Sequence, residues 1–288
     1  MKILITGANG FIGSHVAKAL SREHELCLVD LSCGEEMENS ERLAVDLRSE
    51  AEFKKLDSRI DAIIHLAQGV DYRDFPNSAI NVFDVNAFST LKLLEYGRRV
   101  GAKKFLYAST GTVYTGRKTI FSEDDAVLPP YDFYALSKFV GESLVQRYSC
   151  FMTSVILRFI TVYGPGQKER LIPKLIEKVS RGENIQVYGG EGLTMNPIYI
   201  DDAVEAVRRA VGIRNSTVIN VGGTETLTIL HMGKTIGKVL GIKPFFEFLP
   251  EKDERNIVGT IDRMEKLLHL RPQVSFVEGV RRVVEMAR

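Results

Sequence analysis

Cysteine is scarce in this 288-residue chain: Cys27, Cys33 and Cys150 are its only three, none forms a CxxC pair, and one is left over from any pairing. Such a set builds no disulfide framework and suits a reducing compartment, so a cytoplasmic protein is expected. Net charge is equally slight, +1 at pH 7. No basic stripe invites nucleic acid, and no acidic tail invites a basic partner. Apolar runs never approach the ~18 residues of a membrane span. The opening MKILITGANG holds a three-residue apolar run, too short for a secretory leader, so no membrane partner is expected. His15, His24, His65, His231 and His269 lack the paired spacing of zinc ligands, and no metal is expected. Internal repeats, low-complexity tracts, the GxxxxGK phosphate loop and the GxSxG nucleophile elbow are missing as well.

What the chain does have is a core and a rhythm. Hydrophobic residues make up 44% and charged residues 26%, enough for a packed interior under a polar surface. At ~150 residues per domain, the length allows one large domain or two modest ones. Short apolar runs, KILIT (2–6), ELCLV (25–29), AIIHL (62–66), KFLYAS (104–109), SVILRF (154–159) and VINVG (218–222), alternate with helical patterns over 11–21, 81–100, 133–148 and 201–211. Strands that are apolar on both faces and separated by helices predict an α/β fold with a parallel sheet covered on both sides. After residue 162 come the glycine-rich loops YGPGQ and YGGEG, and from Thr224 on a helix, a strand over 245–249 and two short helices.

ITGANGFIGSHVAKAL, from Ile5 to Leu20, is the most informative stretch. A strand ends at Thr6, Gly7, Gly10 and Gly13 follow at GxxGxxG spacing, and a helix opens. Glycines there permit a tight turn, close approach of backbone to a pyrophosphate and close packing of helix on strand. The helix start adds unpaired N–H groups and its dipole. Gly7, Asn9, Gly10, Phe11, Ile12 and Gly13 are the expected phosphate-binding residues; an ordinary strand–helix turn is the plainer alternative. Asp30 closes the second strand 17 residues beyond Gly13, near the ~20-residue offset at which an acidic side chain meets the adenosine ribose. A carboxylate there accepts from both ribose hydroxyls and opposes the extra phosphate of NADP. Leu31 and Ser32 offer no arginine to reverse that preference. The cofactor expected is therefore NAD, unless Asp30 is a solvated turn residue. The predicted fold is a Rossmann doubly wound parallel sheet, residues 1–162 plus about 197–222, with a smaller C-terminal α+β substrate-binding lobe, residues 163–196 and 223–288.

YDFYALSK, from Tyr131 to Lys138, puts two tyrosines seven and four residues before a lysine. On a helix both offsets fall near the face of the lysine. Pro129-Pro130 keeps the residues just ahead out of the helix, leaving Tyr131 at its mouth and Tyr134 inside it.

With TGANGFIG, Asp30, HLA (65–67), YASTGTVY (107–114) and YALSK in order, the chain resembles the extended short-chain dehydrogenases/reductases, in particular the NAD-dependent nucleotide-sugar epimerases and dehydratases. The resemblance runs almost end to end, through YGPGQ (163–167), IPKLI (172–176), YIDDAVEA (199–206) and the late PQVSFVEGV. It implies that Tyr134 is the catalytic acid–base and Lys138 its partner, while Tyr131 is a wall or cap. An ammonium one turn away and a positive nicotinamide favour the phenolate, whose unperturbed pKa of ~10 is too high for a base at neutrality. Lys138 is also implied to bond the nicotinamide ribose. Thr110 is implied to donate to the same substrate oxygen, with Ser109 beside the cofactor; a turn hydroxyl bonding its own backbone is the alternative for Thr110. In the order 3-2-1-4-5-6, strands one and four flank the switch point, so Thr110 on the fourth strand and the Gly7 loop are expected to border one crevice. By the same resemblance Asp46 and Leu47 flank the adenine, Leu66 and Ala67 line the pyrophosphate and ribose, Asn86 is the asparagine of a cofactor-side helix, and helices over about 79–100 and 133–149 make a homodimer.

The residues after Thr110 narrow the reaction. Gly111-Thr112-Val113-Tyr114 lacks the Asp-Glu pair of the sugar dehydratases, the glutamate of the decarboxylases and the cysteine of the 3,5-epimerases. The expectation is 4-epimerisation of a nucleotide sugar through a transient 4-ketone. The alternatives are an NAD-dependent 4-keto-sugar reductase or alcohol dehydrogenase, and a non-catalytic NAD sensor. Two departures from the family pattern concern the substrate diphosphate. LRFITVYGP offers Thr161 in place of an asparagine, and TMNPIYIDD offers Met195 and Asn196 in place of Arg-Asp. By the resemblance Thr161 and Met195 still line the substrate, and either Arg255 in KDERN is the phosphate grip or the substrate differs, the former being expected.

Overall fold

Leucine, isoleucine and valine runs buried on both faces become strands of one sheet. The computed structural model describes residues 1–56, 58–114, 120–127, 130, 132–250 and 256–286. The sheet strands are Lys2–Thr6 (β1), Glu25–Asp30 (β2), Ser40–Ala44 (β3), Ala62–His65 (β4), Lys104–Thr110 (β5), Thr153–Phe159 (β6) and Thr217–Val221 (β7). Their order is β7-β6-β5-β4-β1-β2-β3, the doubly wound arrangement. The ladders are parallel, with Thr6 level with Val29 on one side and with His65 on the other. That register brings the ends of β1, β2 and β4 to one edge of the sheet, where ligands of such folds bind.

The third strand did not announce itself in the sequence. SERLA is half-exposed and lies at the sheet edge beside β2, so its polar pattern reflects an edge position rather than a doubly buried strand. Its presence makes the Thr110 strand the fifth. Thr110 therefore stands two strands from β1, with β4 between, and not on the strand bordering the switch point as expected.

Four helices matter for the site. Phe11–Leu20 (α1) follows the glycine loop. The helix expected over 81–100 is three pieces: Ala79–Phe83 (α2), a π-helical turn at Asp84–Phe88, and Ser89–Val100 (α3). Phe133–Arg147 (α4) starts where Asp132, at its N-cap, accepts the Ala135 N–H at 2.8 Å, a bond that satisfies an otherwise orphaned donor. The core beneath them joins Leu4, Cys27, Ile63, Leu93, Phe105, Tyr107 and Ile156, all essentially buried.

The chain divides into two compact units, Met1–Thr115 with Ala126–Arg158 and Val204–Ile219, and Gly116–Asp125 with Phe159–Ala203 and Asn220–Arg288. Within the second, Asn184–Tyr188 pairs in parallel with Phe245–Leu249, and Thr194–Met195 pairs antiparallel with Leu227–Thr228. Its helices include Leu171–Arg181 (α5), Ile229–Leu240 (α7), Asp262–Leu268 (α8) and Phe276–Met286 (α9), with Ile200–Ala210 (α6) running across the division. The second unit thus holds a helix, a strand and two further helices in the order expected after Thr224. Among the described residues no helix is long and apolar enough to cross a membrane.

Helix α4 meets β5 through Gly141, where a Cβ would collide with the Tyr107 hydroxyl and lie 3.0 Å from the Asn86 carbonyl oxygen. Tyr107 is fully buried and has nowhere to move. Gly141→Ala is expected to cost ~1–3 kcal/mol, the usual price of overpacking, read as a lower urea midpoint. Adding Tyr107→Phe, which removes the colliding oxygen, should recover part of the loss. A Gly141→Ala protein as stable as wild type would contradict this packing.

Candidate active site

At the mouth of β1 the chain turns with Gly7 at φ +69°, a backbone region that side chains rarely tolerate. A Cβ on Gly7 would lie 2.7 Å from the Ala67 nitrogen, and one on Gly13 would collide with the Gly7 carbonyl. The loop, the end of β4 and the start of α1 are therefore in direct backbone contact. Gly10 caps α1 without a side-chain bond, so Phe11, Ile12 and Gly13 open the helix with N–H groups no side chain covers, as an anionic pyrophosphate requires. These features fit a dinucleotide.

Asp30 closes β2 beside this loop. Its carboxylate accepts the Asn9 N–H and the Leu31 N–H, each at 2.8 Å, while the Asn9 side chain donates to the Ser32 carbonyl at 2.7 Å. Asp46 accepts the Arg48 guanidinium at 2.7 and 2.9 Å, and the hydrogen bond from Arg48 holds its carboxyl below the usual range despite some burial. Leu47 is nearly buried. Leu66 donates its N–H to Thr6 at 3.1 Å and the Ala67 N–H meets the Thr6 hydroxyl at 3.4 Å. Behind them His65 is fully buried between the hydroxyls of Thr6 (2.7 Å) and Thr90 (3.0 Å). Burial, with the positive charge of Lys138 beyond it, pulls its imidazole down to about 3, so it is a neutral core strut.

Three expectations are corrected here. Asn86, in the π-turn, has no exposure, and its amide is spent on the Gly69 N–H and the Ser137 hydroxyl at 2.9 Å each. It ties the loop after β4 to α4 and, being fully buried, presents no surface to a cofactor. Ser109 is buried and turns its hydroxyl inward to Glu142, away from a cofactor. Met195 is 1% exposed and accepts the Thr161 hydroxyl at 3.2 Å on its sulfur. The two departures from the family pattern thus contact each other inside the second unit, and Met195 is not an accessible ligand group. Beside them Asn196, also buried, clips Gly223 and Gly259 through bonds of 3.0–3.1 Å. Arg255 and Tyr131 lie outside the described residues.

The remaining residues converge. The Asp132 cap puts Tyr134 in the first turn of α4 and Lys138 one turn on. The Tyr134 hydroxyl donates to Gln68 Oε1 at 3.0 Å, and its ring lies against Tyr72 with centroids 4.4 Å apart. Gln68 follows Ala67, whose backbone abuts Gly7, so the phenol and the phosphate loop are joined through two consecutive residues. Lys138 is 1% exposed; its Nζ donates to the Ala108 carbonyl at 2.9 Å and sits 5.1 Å from the Tyr107 ring centre. Thr110, two residues beyond Ala108, shares a 3.0 Å contact with the Thr112 hydroxyl and accepts the Thr112 N–H at 3.2 Å. It does cap the Gly111–Val113 turn, as its plainer alternative supposed.

Sequence reasoning missed Gln68, Tyr72 and a buried ion pair. Arg158 grips Glu142 with two bonds, 3.0 and 2.7 Å, lies 4.7 Å from the Tyr114 ring centre, and is 3% exposed against 2% for Glu142. Burial opposes the arginine charge, but the carboxylate outweighs it and its pKa rises. The signal available was the spacing of Glu142 four residues after Lys138, which places both on one helical face.

Burial pulls the Lys138 ammonium down to about 7, with Glu142 opposing the shift. An unfolded lysine holds its proton to ~10.4. Between those values the unfolded chain binds a proton that the folded chain has released, so stability rises with pH. Relative to Lys138→Met, wild-type unfolding free energy should climb from pH 7 to pH 10, by up to ~1.4 kcal/mol per unit. Parallel profiles in denaturant titrations of the two proteins would rule this out.

Residues 3–222 match the sequence profile of the NAD dependent epimerase/dehydratase family. The UDP-glucuronate 4-epimerase of Thermodesulfobacterium geofontis is 28% identical over 99% of this chain and 95% of its own. The structure of UDP-glucuronic acid 4-epimerase from Bacillus cereus in complex with NAD superposes with a TM-score of 0.86 at 28% identity, covering 99% of this chain and 96% of that one. The UDP-glucose 4-epimerase of Thermotoga maritima, solved with UDP-glucose, gives a TM-score of 0.85 at 26% identity over 100% of this chain and 99% of that one. A glycine loop at a helix start, a carboxylate closing the second strand and a Tyr–Lys pair on one helix accompany the profile match over residues 3–222: this chain belongs to the NAD-dependent epimerase/dehydratase family.

Proposed function

We propose that the protein is a 4-epimerase of a nucleotide sugar. The observation that carries this is Tyr134, hydrogen-bonded to Gln68 beside the phosphate loop, with the buried amine of Lys138 one helical turn behind it. Gly7, Asn9, Gly10, Phe11, Ile12 and Gly13 hold the pyrophosphate, Asp30 the adenosine ribose, and Asp46, Leu47, Leu66 and Ala67 line the remainder. NAD held there would supply a reversible hydride acceptor for C4 of the sugar. Tyr134 takes the proton of the C4 hydroxyl and returns it to the oxygen of the 4-ketone once the sugar ring has turned over, so that C4 is reduced from its other face. Lys138, charged on part of the molecules near neutrality, stabilises the phenolate. Thr110 orients the same oxygen. Elimination is disfavoured because Glu142, the carboxylate that Ser109 contacts, is buried and neutralised by Arg158.

In this reading the residues over 163–196 and 223–288 form the substrate lobe and 1–162 with 197–222 the cofactor domain. Arg255 takes over the diphosphate grip that Met195 cannot provide, since a thioether offers no charged fork. The 4-epimerase relatives of T. geofontis, B. cereus and T. maritima support the reaction. A cytoplasmic homodimer is the matching state. Ile80 and Phe88, 78% and 52% exposed on the α2–α3 segment, support the assembly through helices 79–100 and 133–149.

Tyr134→Phe should keep NAD binding and lose ~10²–10⁴-fold in turnover, measured by interconversion of a UDP-sugar and its C4 epimer. Equal activity of the two proteins would remove Tyr134 from the chemistry. Stoichiometric release of NADH during turnover would favour the dehydrogenase alternative over epimerisation. UDP should bind the wild type well below millimolar concentration, and Arg255→Ala should weaken it by ~10–100-fold, the range of one charge-assisted bond. If no nucleoside diphosphate binds below millimolar in calorimetry, the nucleotide-sugar reading fails.

A further inference from the structure

The ribose end of the crevice contains a second charged group, 12 residues beyond Asp30 in the chain. Arg42 stands on β3 opposite Leu28, two residues before Ala44, which is opposite Asp30. Residues two apart on a strand share a face, so Arg42 and Asp30 leave the sheet on the same side. One asparagine joins them: the Asn9 backbone N–H donates to Asp30 Oδ2 at 2.8 Å, and Asn9 Oδ1 accepts Arg42 Nη1 at 2.9 Å. Gly34 is drawn onto this pair, since a Cβ there would lie 2.6 Å from Arg42 Nη1 and collide with Asn9 Oδ1. Arg42 Nε is shielded from water and has no acceptor. Among the described residues no carboxylate is within ion-pair distance of this guanidinium. A half-buried guanidinium whose shielded Nε lacks an acceptor, and which no carboxylate pairs, is an arrangement that an anion completes.

We infer that Arg42 is a specificity-determining residue of the cofactor site, a preformed ligand for the 2′-phosphate of NADP that Asp30 alone keeps out. The inference rests on Asp30 reading the ribose. With the carboxylate present, its hydrogen bonds to ribose hydroxyls favour NAD and its charge repels a phosphate. With the carboxylate removed, the guanidinium on the same sheet face offers its planar fork of donors to that phosphate. One substitution at Asp30 therefore turns the site over to NADP instead of merely loosening it. The sequence did not show this, because the arginine comes from the neighbouring strand and not from the two residues after Asp30.

The test is equilibrium binding of NAD⁺ and NADP⁺, by calorimetry, to protein stripped of nucleotide. Wild type should prefer NAD⁺ by ~100-fold, and Asp30→Ser should prefer NADP⁺ by ~10-fold or more, the range of a charge-assisted contact converted to affinity. Adding Arg42→Gln, which keeps N–H donors and removes the charge, should abolish that NADP⁺ gain while NAD⁺ affinity moves by less than ~3-fold, under ~0.7 kcal/mol. Thermal melts check that each variant is folded, and Asp30→Ser/Arg42→Lys, which keeps the charge, should retain NADP⁺ preference if the double variant with glutamine melts early. If Asp30→Ser remains NAD⁺-preferring, or Arg42→Gln weakens both cofactors equally, Arg42 only braces the loop and the inference is wrong. If wild type binds both cofactors equally, the ribose role of Asp30 falls first, and the inference with it.

Discussion

Helix α4 is locked to strand β5, and the site depends on that lock. Three helix residues meet three consecutive strand residues: Lys138 reaches the Ala108 carbonyl, Gly141 admits the Tyr107 hydroxyl, and Glu142 accepts from Ser109. Each contact is buried, so none can be exchanged for water at low cost. Helical geometry makes the register all-or-none, because residues 138, 141 and 142 occupy one face and a shift by one residue would turn all of them away. Tyr134 lies on the same face one turn earlier, and its position follows from the lock.

The ion pair of Glu142 with Arg158 shows what the lock costs. Removing two charges from water is expensive, and a buried pair gains back that loss only with near-ideal geometry. Here the guanidinium makes two bonds of 2.7–3.0 Å and covers the Tyr114 ring. The pair links α4 to β6 and, through Ser109, to β5 one residue before Thr110. Its value lies in fixing one arrangement of the end of β5. The same logic applies to the Thr6–His65–Thr90 chain, in which a neutral imidazole joins β1, β4 and α3 without burying a charge.

The glycine loop after β1 imposes the opposite requirement, for emptiness. Gly7 and Gly13 are needed because the backbones of Gly7, Ala67 and the start of α1 touch, so any side chain there would separate them. In the second unit a comparable closeness at Asn196, Gly223 and Gly259 holds the segments around Met195 together by side-chain-to-backbone bonds. With the Thr161 hydroxyl turned to the methionine sulfur, this region is organised around its own contacts.

Local chemistry fixed much of this in advance. The doubly buried strands β1, β2, β4, β5 and β6 were legible as apolar runs, the phosphate loop as its glycines, and the Tyr134–Lys138 pair as an i, i+4 spacing behind a proline stop, since each is a property of neighbours in sequence. Tertiary structure alone decided the rest. Strand β3 exists because β2 offers it a partner, although SERLA looks like a polar loop. Asn86 became a clip instead of a ligand because a π-turn aims it at Gly69 and Ser137, 17 residues before it and 51 after it in the chain. Met195 and Thr161, 34 residues apart, and Asp30 and Arg42, on adjacent strands, acquired their meaning only by meeting. Sequence patterns report which faces are apolar and which turns are possible; which distant polar groups satisfy each other is set by the packing that brings them within bonding distance.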